Sequence, residues 1–276
     1  MKMYKGDVDE QSREGGDWGK GFTEERGVWL KRLSECIKPG KIVEFGCGNG
    51  LVLEVLSMDF ADSIIVGVDN AMGELEKLVE KDLKNTIPVK ADISQGIFPD
   101  GTFDTALFVA TLHEVFSDLG KEKVQDAFRI AHNVLKDGGV LIIQDFLKPS
   151  SRVVEITFKN EETRRRFLRF ADEFRPRKVR FEETRDRVKL DIADANEFIS
   201  KYYFGHSEEH WKRQMSHTHF FFTEKEYKEM AQQTGFIIKD SMKLPTGEKL
   251  WAEIRENVEF SFETEYGWIQ LVLIKK

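Results

Sequence analysis

The sequence has 276 residues, of which 40% are hydrophobic and 12% aromatic, and its 42 Lys and Arg against 49 Asp and Glu give a net charge of −7. This composition excludes collagen-like, mucin-like and disordered chains, and it supports one large domain or a domain with an insertion. The negative net charge argues against a general polyanion-binding protein.

Membrane spans and disulfide bonds are not expected. The longest apolar runs, such as 140–143 and 220–222, are far shorter than the roughly 20 residues that cross a bilayer. The N-terminus shows no apolar signal segment, and the two cysteines, Cys36 and Cys47, are too few for a disulfide framework. We therefore expect a cytoplasmic protein without membrane contact.

The first forty residues predict a lid followed by a helix. Residues 1–20 are polar and contain four glycines, which is typical of a flexible segment. A helix is predicted over 23–37, with Thr23 as its N-cap and apolar residues at helical spacing. Pro39 and the glycine after it end this helix.

Residues 41–149 alternate short apolar strands with helices. The predicted strands are 42–45, 64–68, 88–90, 105–109 and 140–144, and the predicted helices are 51–57, 72–81 and 122–135. Such alternation with short turns is typical of a parallel sheet covered by helices on both faces. Related patterns return over 223–276, with a helix at 224–234 and strands at 236–239, 258–264 and 268–274.

The segment between these two regions, 150–222, predicts a helical cap. Within it, Phe167, Phe170 and Phe174 recur at the spacing of one helix face, and the arginines lie mostly elsewhere. We therefore predict one α/β domain, built from 41–149 and 223–276, with a helical cap inserted after the fifth strand. An insertion at this point of the fold would cover a substrate.

The glycine-rich turn V-E-F-G-C-G-N-G, residues 43–50, is the sharpest signal. It links a predicted strand to a predicted helix, and its three glycines permit a tight turn and the close approach of a ligand. Asp69 ends the next strand, where an acidic side chain suits ribose hydroxyls. The spacing differs from the dinucleotide motif, and Glu44 would repel a pyrophosphate but suits an ammonium group or water.

This turn and four later segments resemble, in the same order, the class I S-adenosylmethionine (SAM)-dependent methyltransferases. The five matching segments are 44–50, the strand end at Asp69, 90–93, 103–115 and 135–143. The resemblance implies a Rossmann-like, mostly parallel sheet with helices on both faces, and SAM as cofactor. It places the glycine loop at the methionine part of SAM, Asp69 at the ribose, and Asp92 with the Ile93 backbone at the adenine. The cofactor-binding residues so predicted are Trp18, Glu44, Gly46, Cys47, Gly48, Gly50, Asp69, Asn70, Asp92 and Ile93.

Three titratable residues are candidates for catalysis. His113 and Glu114 follow the fourth strand and Asp145 ends the fifth, at the edge of the sheet where open α/β folds bind their ligands. A histidine there can act as a base near neutral pH, or it can instead cap the next helix or line the cofactor pocket. Residues 110–115 lack the Asn/Asp-Pro-Pro-aromatic motif of amino-directed nucleobase methyltransferases, which argues against that substrate class.

Four of the six histidines fall within 202–219, among several aromatic residues. The substrate-binding candidates in this segment are Tyr202, Tyr203, His206, Trp211, His217 and His219. Ordinary packing of the cap on the core is the alternative interpretation. The spacing of these histidines also occurs in metal sites, but no cysteine accompanies them and His206 precedes the predicted helix, so we predict no metal.

The segment 150–189 is basic, with thirteen Lys and Arg against eight Asp and Glu. Arginines and phenylalanines interleave over 164–180, a pattern that suits nucleic acid but also a helix with one buried and one solvated face. We predict a SAM-dependent methyltransferase that acts on a small-molecule acceptor enclosed between core and cap. A SAM-dependent tRNA methyltransferase that uses the basic insertion, and a non-catalytic SAM-binding partner module, are the alternatives. The oligomeric state is left open.

Overall fold

The computed structural model describes residues 23–245, 248–263 and 267–276. The predicted lid over 1–20, including Trp18, lies outside the described residues. None of the described helices is long and apolar enough to cross a membrane.

The elements follow one another as α1 Thr23–Glu35, β1 Lys41–Phe45, α2 Leu51–Asp59, β2 Ile64–Asp69, α3 Met72–Glu80, β3 Thr86–Lys90, β4 Phe103–Val109, α4 Leu112–Leu119, α5 Lys121–Val134 and β5 Leu135–Phe146. The chain continues with β6 Val153–Phe158, α6 Glu161–Glu173, β7 Phe181–Thr184, β8 Arg187–Asp191, α7 Ile192–Phe204 and α8 Glu208–Ser216. It ends with α9 Glu224–Gln233, β9 Phe236–Leu244, α10 Glu248–Arg255, β10 Val258–Phe260 and β11 Trp268–Lys275.

Seven strands form the core sheet in the order β3-β2-β1-β4-β5-β11-β9. Strands β1 to β5 pair in parallel, and β11 runs antiparallel to both β5 and β9. Side chains of the central strands alternate between the two faces of the sheet, and they are buried because helices cover both faces. Val43 and Phe45 pack with α4, α5 and α9, whereas Ile42 packs with α1, α2 and α3. This confirms the predicted α/β sheet with helices on both faces.

The predicted helical cap is wrong in its architecture, because the inserted segment carries a second sheet. Strands β6, β7 and β8 join β10 in an antiparallel sheet of order β10-β6-β8-β7. Helices α6, α7, α8 and α10 bury their apolar side chains in one cluster with these strands. We call this unit the second layer. Since α10 and β10 belong to it, the predicted core segment 223–276 contributes to both sheets.

Candidate active site

Three left-handed glycines shape the loop between β1 and α2, with φ of 74° at Gly46, 50° at Gly48 and 74° at Gly50. A Cβ atom on Gly46 would lie 2.4 Å from Thr111, and one on Gly50 would lie 2.3 Å from Leu78. The protein itself therefore requires glycine at these two positions. A Cβ on Gly48 would meet no described atom closer than a Glu74 carboxylate oxygen at 3.9 Å, so the loop is open to a ligand there.

Asp69, at the end of β2, holds the glycine loop in place. Its Oδ2 accepts a hydrogen bond from the Gly48 amide at 2.8 Å, and its Oδ1 accepts one from the Ala71 amide at 2.8 Å. The carboxylate thus joins the loop to the start of α3. The sequence predicted a ribose contact for Asp69 but gave no sign of this second role.

Glu44 is a buried carboxylate directly before the loop. It is 2% exposed, and its Oε2 has no hydrogen-bond partner among the described residues. Burial, together with the negative charge of Asp69, raises the pKa of Glu44 well above its usual 4.5. A buried oxygen without a donor is costly, and the ammonium group of SAM is a donor that would satisfy it. The residues present therefore fit SAM at this loop.

The other predicted cofactor residues take different positions. Cys47 packs into the hydrophobic cluster on the α2 side of the sheet, and burial raises the pKa of its thiol, so it behaves as a small apolar side chain. Asn70 is exposed. Asp92 accepts a hydrogen bond from the Ser94 amide at 2.8 Å, which shapes the turn after β3, and Ile93 packs against the core.

A sharp turn after β4 brings His113 to Asp145. Ala110 adopts φ of 52°, an uncommon conformation for a residue with a Cβ, and α4 begins two residues later. His113 Nδ1 lies 2.8 Å from Asp145 Oδ1, and the His113 amide donates to Oδ2 at 3.1 Å. The Phe146 amide also donates to Oδ1, at 2.8 Å. Asp145 is therefore fixed by three donors.

The Asp145 carboxylate sets the protonation of His113. Because a carboxylate only accepts, His113 Nδ1 carries a proton and Nε2 is left as the basic nitrogen. Nε2 has no hydrogen-bond partner among the described residues. Burial lowers the pKa of His113, but the charge and hydrogen bond of Asp145 outweigh it and raise this pKa above 6.5.

A second buried imidazole, His219, lies beside this pair. Its ring centroid is 5.3 Å from that of His113, and it stacks on Phe146 at 4.5 Å. Ser200 Oγ donates to the Glu197 carbonyl at 3.0 Å, so it accepts from His219 Nδ1, also at 3.0 Å. Burial and the positive charge of Lys201 hold the pKa of His219 well below 6.5, and the ring stays uncharged.

A buried ionic group, which the sequence did not indicate, supports His219 from α7. Glu197 accepts hydrogen bonds from the Thr218 hydroxyl, from the His219 amide at 3.3 Å and from the Phe220 amide at 3.0 Å. Lys201 Nζ lies 3.2 Å from Glu197 Oε2, and both side chains are fully buried. The E-x-x-x-K spacing predicts an ion pair on a helix, but it does not show burial.

Glu114 lies outside this buried cluster. It is exposed and accepts a hydrogen bond from Arg213 of α8 at 3.1 Å. The structure therefore does not bring Glu114 to the His113–Asp145 pair, although the two residues are adjacent in sequence.

Tyr202 and Trp211 pack inside the second layer. The Arg166 guanidinium lies 4.2 Å from the centre of the Tyr202 ring, and the indole N–H of Trp211 donates to Glu173 at 2.7 Å. Both rings are buried in the hydrophobic cluster of that layer. These contacts agree with the alternative interpretation, the packing of side chains within this segment.

Tyr203 is half-buried and lies edge to face with Phe204 at 4.9 Å, and the Phe204 ring is 5.7 Å from that of His219. Two of the six substrate candidates, Tyr203 and His219, thus belong to the group of rings next to His113.

The remaining histidine candidates, His206 and His217, make contacts with other residues. His206 is exposed and lies 4.4 Å from the His210 ring. His217 Nδ1 lies 2.8 Å from the Arg213 carbonyl, and its Nε2 lies 3.0 Å from Asp118. Within the described part of the chain, no group of three or more His, Cys, Asp or Glu side chains is placed to hold a metal ion.

A seven-stranded sheet of this order, with a glycine-rich turn after β1 and an acidic residue at the end of β2, defines the class I methyltransferase fold. The family model described as a methyltransferase domain matches residues 27–239, so the chain belongs to that family. It is a SAM-dependent methyltransferase.

Solved structures with this fold are similar over most of their length. A SAM-dependent methyltransferase of Thermotoga maritima, a possible histamine N-methyltransferase, is 18% identical, with 97% of this chain and 98% of that chain covered and a TM-score of 0.55. A SAM-dependent methyltransferase of Mesorhizobium loti is 17% identical, with 89% and 96% covered and a TM-score of 0.55. The 4+2 cyclase SpnF is 14% identical, with 90% and 80% covered and a TM-score of 0.55. No curated protein is significantly similar in sequence.

Proposed function

We propose that this enzyme methylates a small molecule held between the core sheet and the second layer, with His113 as the base. The observation that carries this proposal is the buried His113–Asp145 pair, with His219 against it. His113 and Asp145 come from the core, whereas His219 is held by Ser200 and Glu197 of α7, in the second layer. A site assembled from both layers suits an enclosed acceptor.

Bound SAM supplies a methyl group on a positively charged sulfur, which keeps the electron pair of the broken C–S bond when a lone pair of the acceptor attacks the methyl carbon. The proton of an N–H or O–H acceptor then passes to His113 Nε2. Asp145 holds the ring in the tautomer that leaves Nε2 basic, and its charge stabilises the imidazolium that forms.

Burial and charge pairing favour a small acceptor over RNA. His113 is 6% exposed and His219 is 5% exposed, so a macromolecular acceptor has little access to them. In the basic stretch, Arg164 pairs with Glu161 and Glu183, and Arg169 pairs with acidic residues of α6 and α8. These arginines serve the second layer, and phosphate contacts would have to displace their partners.

The similar structures agree with this proposal without deciding it. Histamine, named for the Thermotoga protein, is a small amine. SpnF, with the same fold, is a cyclase, so the reaction has to be argued from the side chains of this chain.

The test is the transfer of labelled methyl from SAM into a cell extract, followed by a small-cutoff filter. We expect label in the filtrate, and we expect His113→Gln to reduce it about 10²- to 10⁴-fold. His132→Gln, which changes a histidine of α5, is the matched control and retains activity.

Each other outcome contradicts part of the proposal. Label in the retentate refutes the small acceptor, and loss of that label on RNase treatment identifies RNA. Label in the filtrate that is unaffected by His113→Gln refutes the base. No label in either fraction, with SAM still bound in calorimetry, refutes the activity and favours a SAM-binding partner module.

A further inference from the structure

Two cations of the second layer contact one carboxylate, that of Glu197: Lys201, which is buried, and Arg177, which is partly buried. Lys201 is 0% exposed, and its Nζ lies 3.2 Å from Glu197 Oε2. Arg177 Nη1 lies 3.7 Å from Glu197 Oε1. The two positive groups therefore lie on either side of the same side chain.

Both cations have N–H donors for which the described residues provide no hydrogen-bond acceptor. The Lys201 ammonium has three donors, and its one polar contact in the described chain is the 3.2 Å ion pair with Glu197, so at least two donors have no acceptor there. Arg177 donates from Nε to Asp194 at 2.7 Å and from Nη1 to Thr218 at 3.1 Å, whereas its buried Nη2 has no partner within the described ranges. Buried donors without acceptors are rare in native proteins.

These donors lie next to the imidazoles. Glu197 Oε2, which Lys201 contacts, also accepts the hydrogen bond of the His219 amide. After burial, the positive charge of Lys201 is a cause of the low pKa of His219, and it opposes the rise that Asp145 produces in the pKa of His113, as expected for a cation close to both. The oxygens of Glu197 already accept from Thr218, His219 and Phe220.

We propose that Lys201 and Arg177 bind a carboxylate of the methyl acceptor, so that the substrate is a small carboxylic acid bearing the N–H or O–H group that His113 deprotonates. A carboxylate has two oxygens that accept, one for Nζ and one for Nη2. A doubly charged phosphate would meet stronger repulsion from the buried Glu197. This proposal rests on the proposed function and adds the substrate class.

The first test separates the labelled filtrate of the methyl-transfer assay on an anion-exchange resin at about pH 11, where an amino group is largely uncharged and a carboxylate keeps its charge. We expect the labelled product to bind the resin and to lose this binding when its carboxyl group is esterified. A labelled product that passes through the resin overturns the carboxylate but leaves the small-molecule methyltransferase intact. A product that binds but is released by a phosphatase also overturns it. Label confined to the retentate refutes the proposed function itself.

The second test asks whether Lys201 is the binding group. Lys201→Met alone would leave Glu197 buried without its cation, so the variant combines Lys201→Met with Glu197→Gln and keeps the net charge of the cluster. We expect at least a tenfold lower kcat/KM for the labelled acceptor, mainly through KM, with the SAM Kd unchanged within twofold. Lys212→Met, at an exposed position of α8, is the control.

Acetate is a probe that does not require the acceptor to be identified. We expect sodium acetate to inhibit methyl transfer by the wild-type enzyme, and acetamide or sodium chloride at the same concentration to have no such effect. The double variant should lose this inhibition. If the double variant does not fold, Arg177→Gln, which retains the Lys201–Glu197 pair, should weaken acetate inhibition at least threefold. Equal inhibition by acetate and acetamide, or an unchanged KM in both variants, overturns the proposal.

Discussion

Asp145→Asn is the substitution that most directly tests the buried pair. It removes one negative charge and preserves the shape of the side chain. Oδ1 of Asp145 accepts from His113 Nδ1 and from the Phe146 amide, and Oδ2 accepts from the His113 amide. Whichever way the Asn side chain is turned, its NH2 group faces at least one of these N–H donors.

Two losses follow from this mismatch. A hydrogen bond to a charged group contributes about 1.5–3 kcal/mol, so we expect the free energy of unfolding to fall by about that amount. If the Asn NH2 takes the position of Oδ1, it donates to His113 Nδ1, and the imidazole proton moves to Nε2. His113 then offers no basic nitrogen, and we expect methyl transfer to fall by about 10² to 10⁴.

The change of stability with pH distinguishes the wild type from Asp145→Asn, because the pKa of His113 shifts in opposite directions in the two proteins. The pKa of His113 is raised above 6.5 in the folded wild type, so its stabilising contribution is fully present below about pH 6.5 and is lost as the pH rises through the folded pKa. In Asp145→Asn the carboxylate is gone while burial still lowers this pKa. The contribution is then present above about pH 6.5 and lost as the pH falls.

The assay is denaturant unfolding of both proteins at several values between about pH 5.5 and 8.5, together with methyl transfer at neutral pH. We expect the stability difference between wild type and Asp145→Asn to be largest at the acid end and to shrink as the pH rises. Asp137→Asn, at an exposed position of β5, is the control. A pH-independent difference, or an Asn variant with more than a third of the wild-type rate, would refute the reasoning.

Four further substitutions test the rest of the site. Glu44→Gln removes a buried charge, so we expect a higher Tm for the SAM-free protein at about pH 8 and a smaller rise on adding SAM; a lower SAM-free Tm contradicts the unsatisfied carboxylate. Gly48→Ala should cost about 1–2 kcal/mol through its left-handed backbone and weaken SAM binding at least tenfold in calorimetry. Gly46→Ala, which also meets Thr111, should destabilise the protein more, and equal Tm values for the two variants count against this account. In His219→Gln we expect the free energy of unfolding to fall less below about pH 6.5 than in the wild type. The wild-type imidazole is uncharged with a lowered pKa, so its stabilising contribution is lost as the pH falls. An unchanged fall in the free energy of unfolding argues against a buried neutral ring.

The glycine turn and the strand ends could be predicted because their signals are local. A strand, a glycine turn and a helix need only neighbouring residues, and the carboxyl ends of parallel strands meet at one edge of a sheet. This is why His113 and Asp145 were expected at the same edge, and the structure places them in contact. Glu114 was expected there too, but successive helix residues point about 100° apart, and Glu114 lies at the surface of α4.

The second layer shows where local signals fail. Strand β7 has four residues, none of them buried, and β8 has five, of which two are buried, so polar and charged side chains dominate both short segments. One of the two partners of β6 is β10, about a hundred residues further along the chain, and neither short segment indicates which strand it pairs with. The helix face predicted from Phe167, Phe170 and Phe174 corresponds to α6, because phenylalanines at helical spacing are a local signal.

By itself, the sequence determined the class of the protein, since the order of strands, turns and acidic residues is written along the chain. Only the tertiary structure decided which ionisable residues share one buried space. Lys201 and Arg177 look like ordinary surface cations in the sequence, and the burial of Lys201 with Glu197, beside a partly buried Arg177, depends on how the second layer packs. A buried charge has lost its hydration, so it is stable only with an opposite charge or a hydrogen-bond partner in the protein or in the substrate.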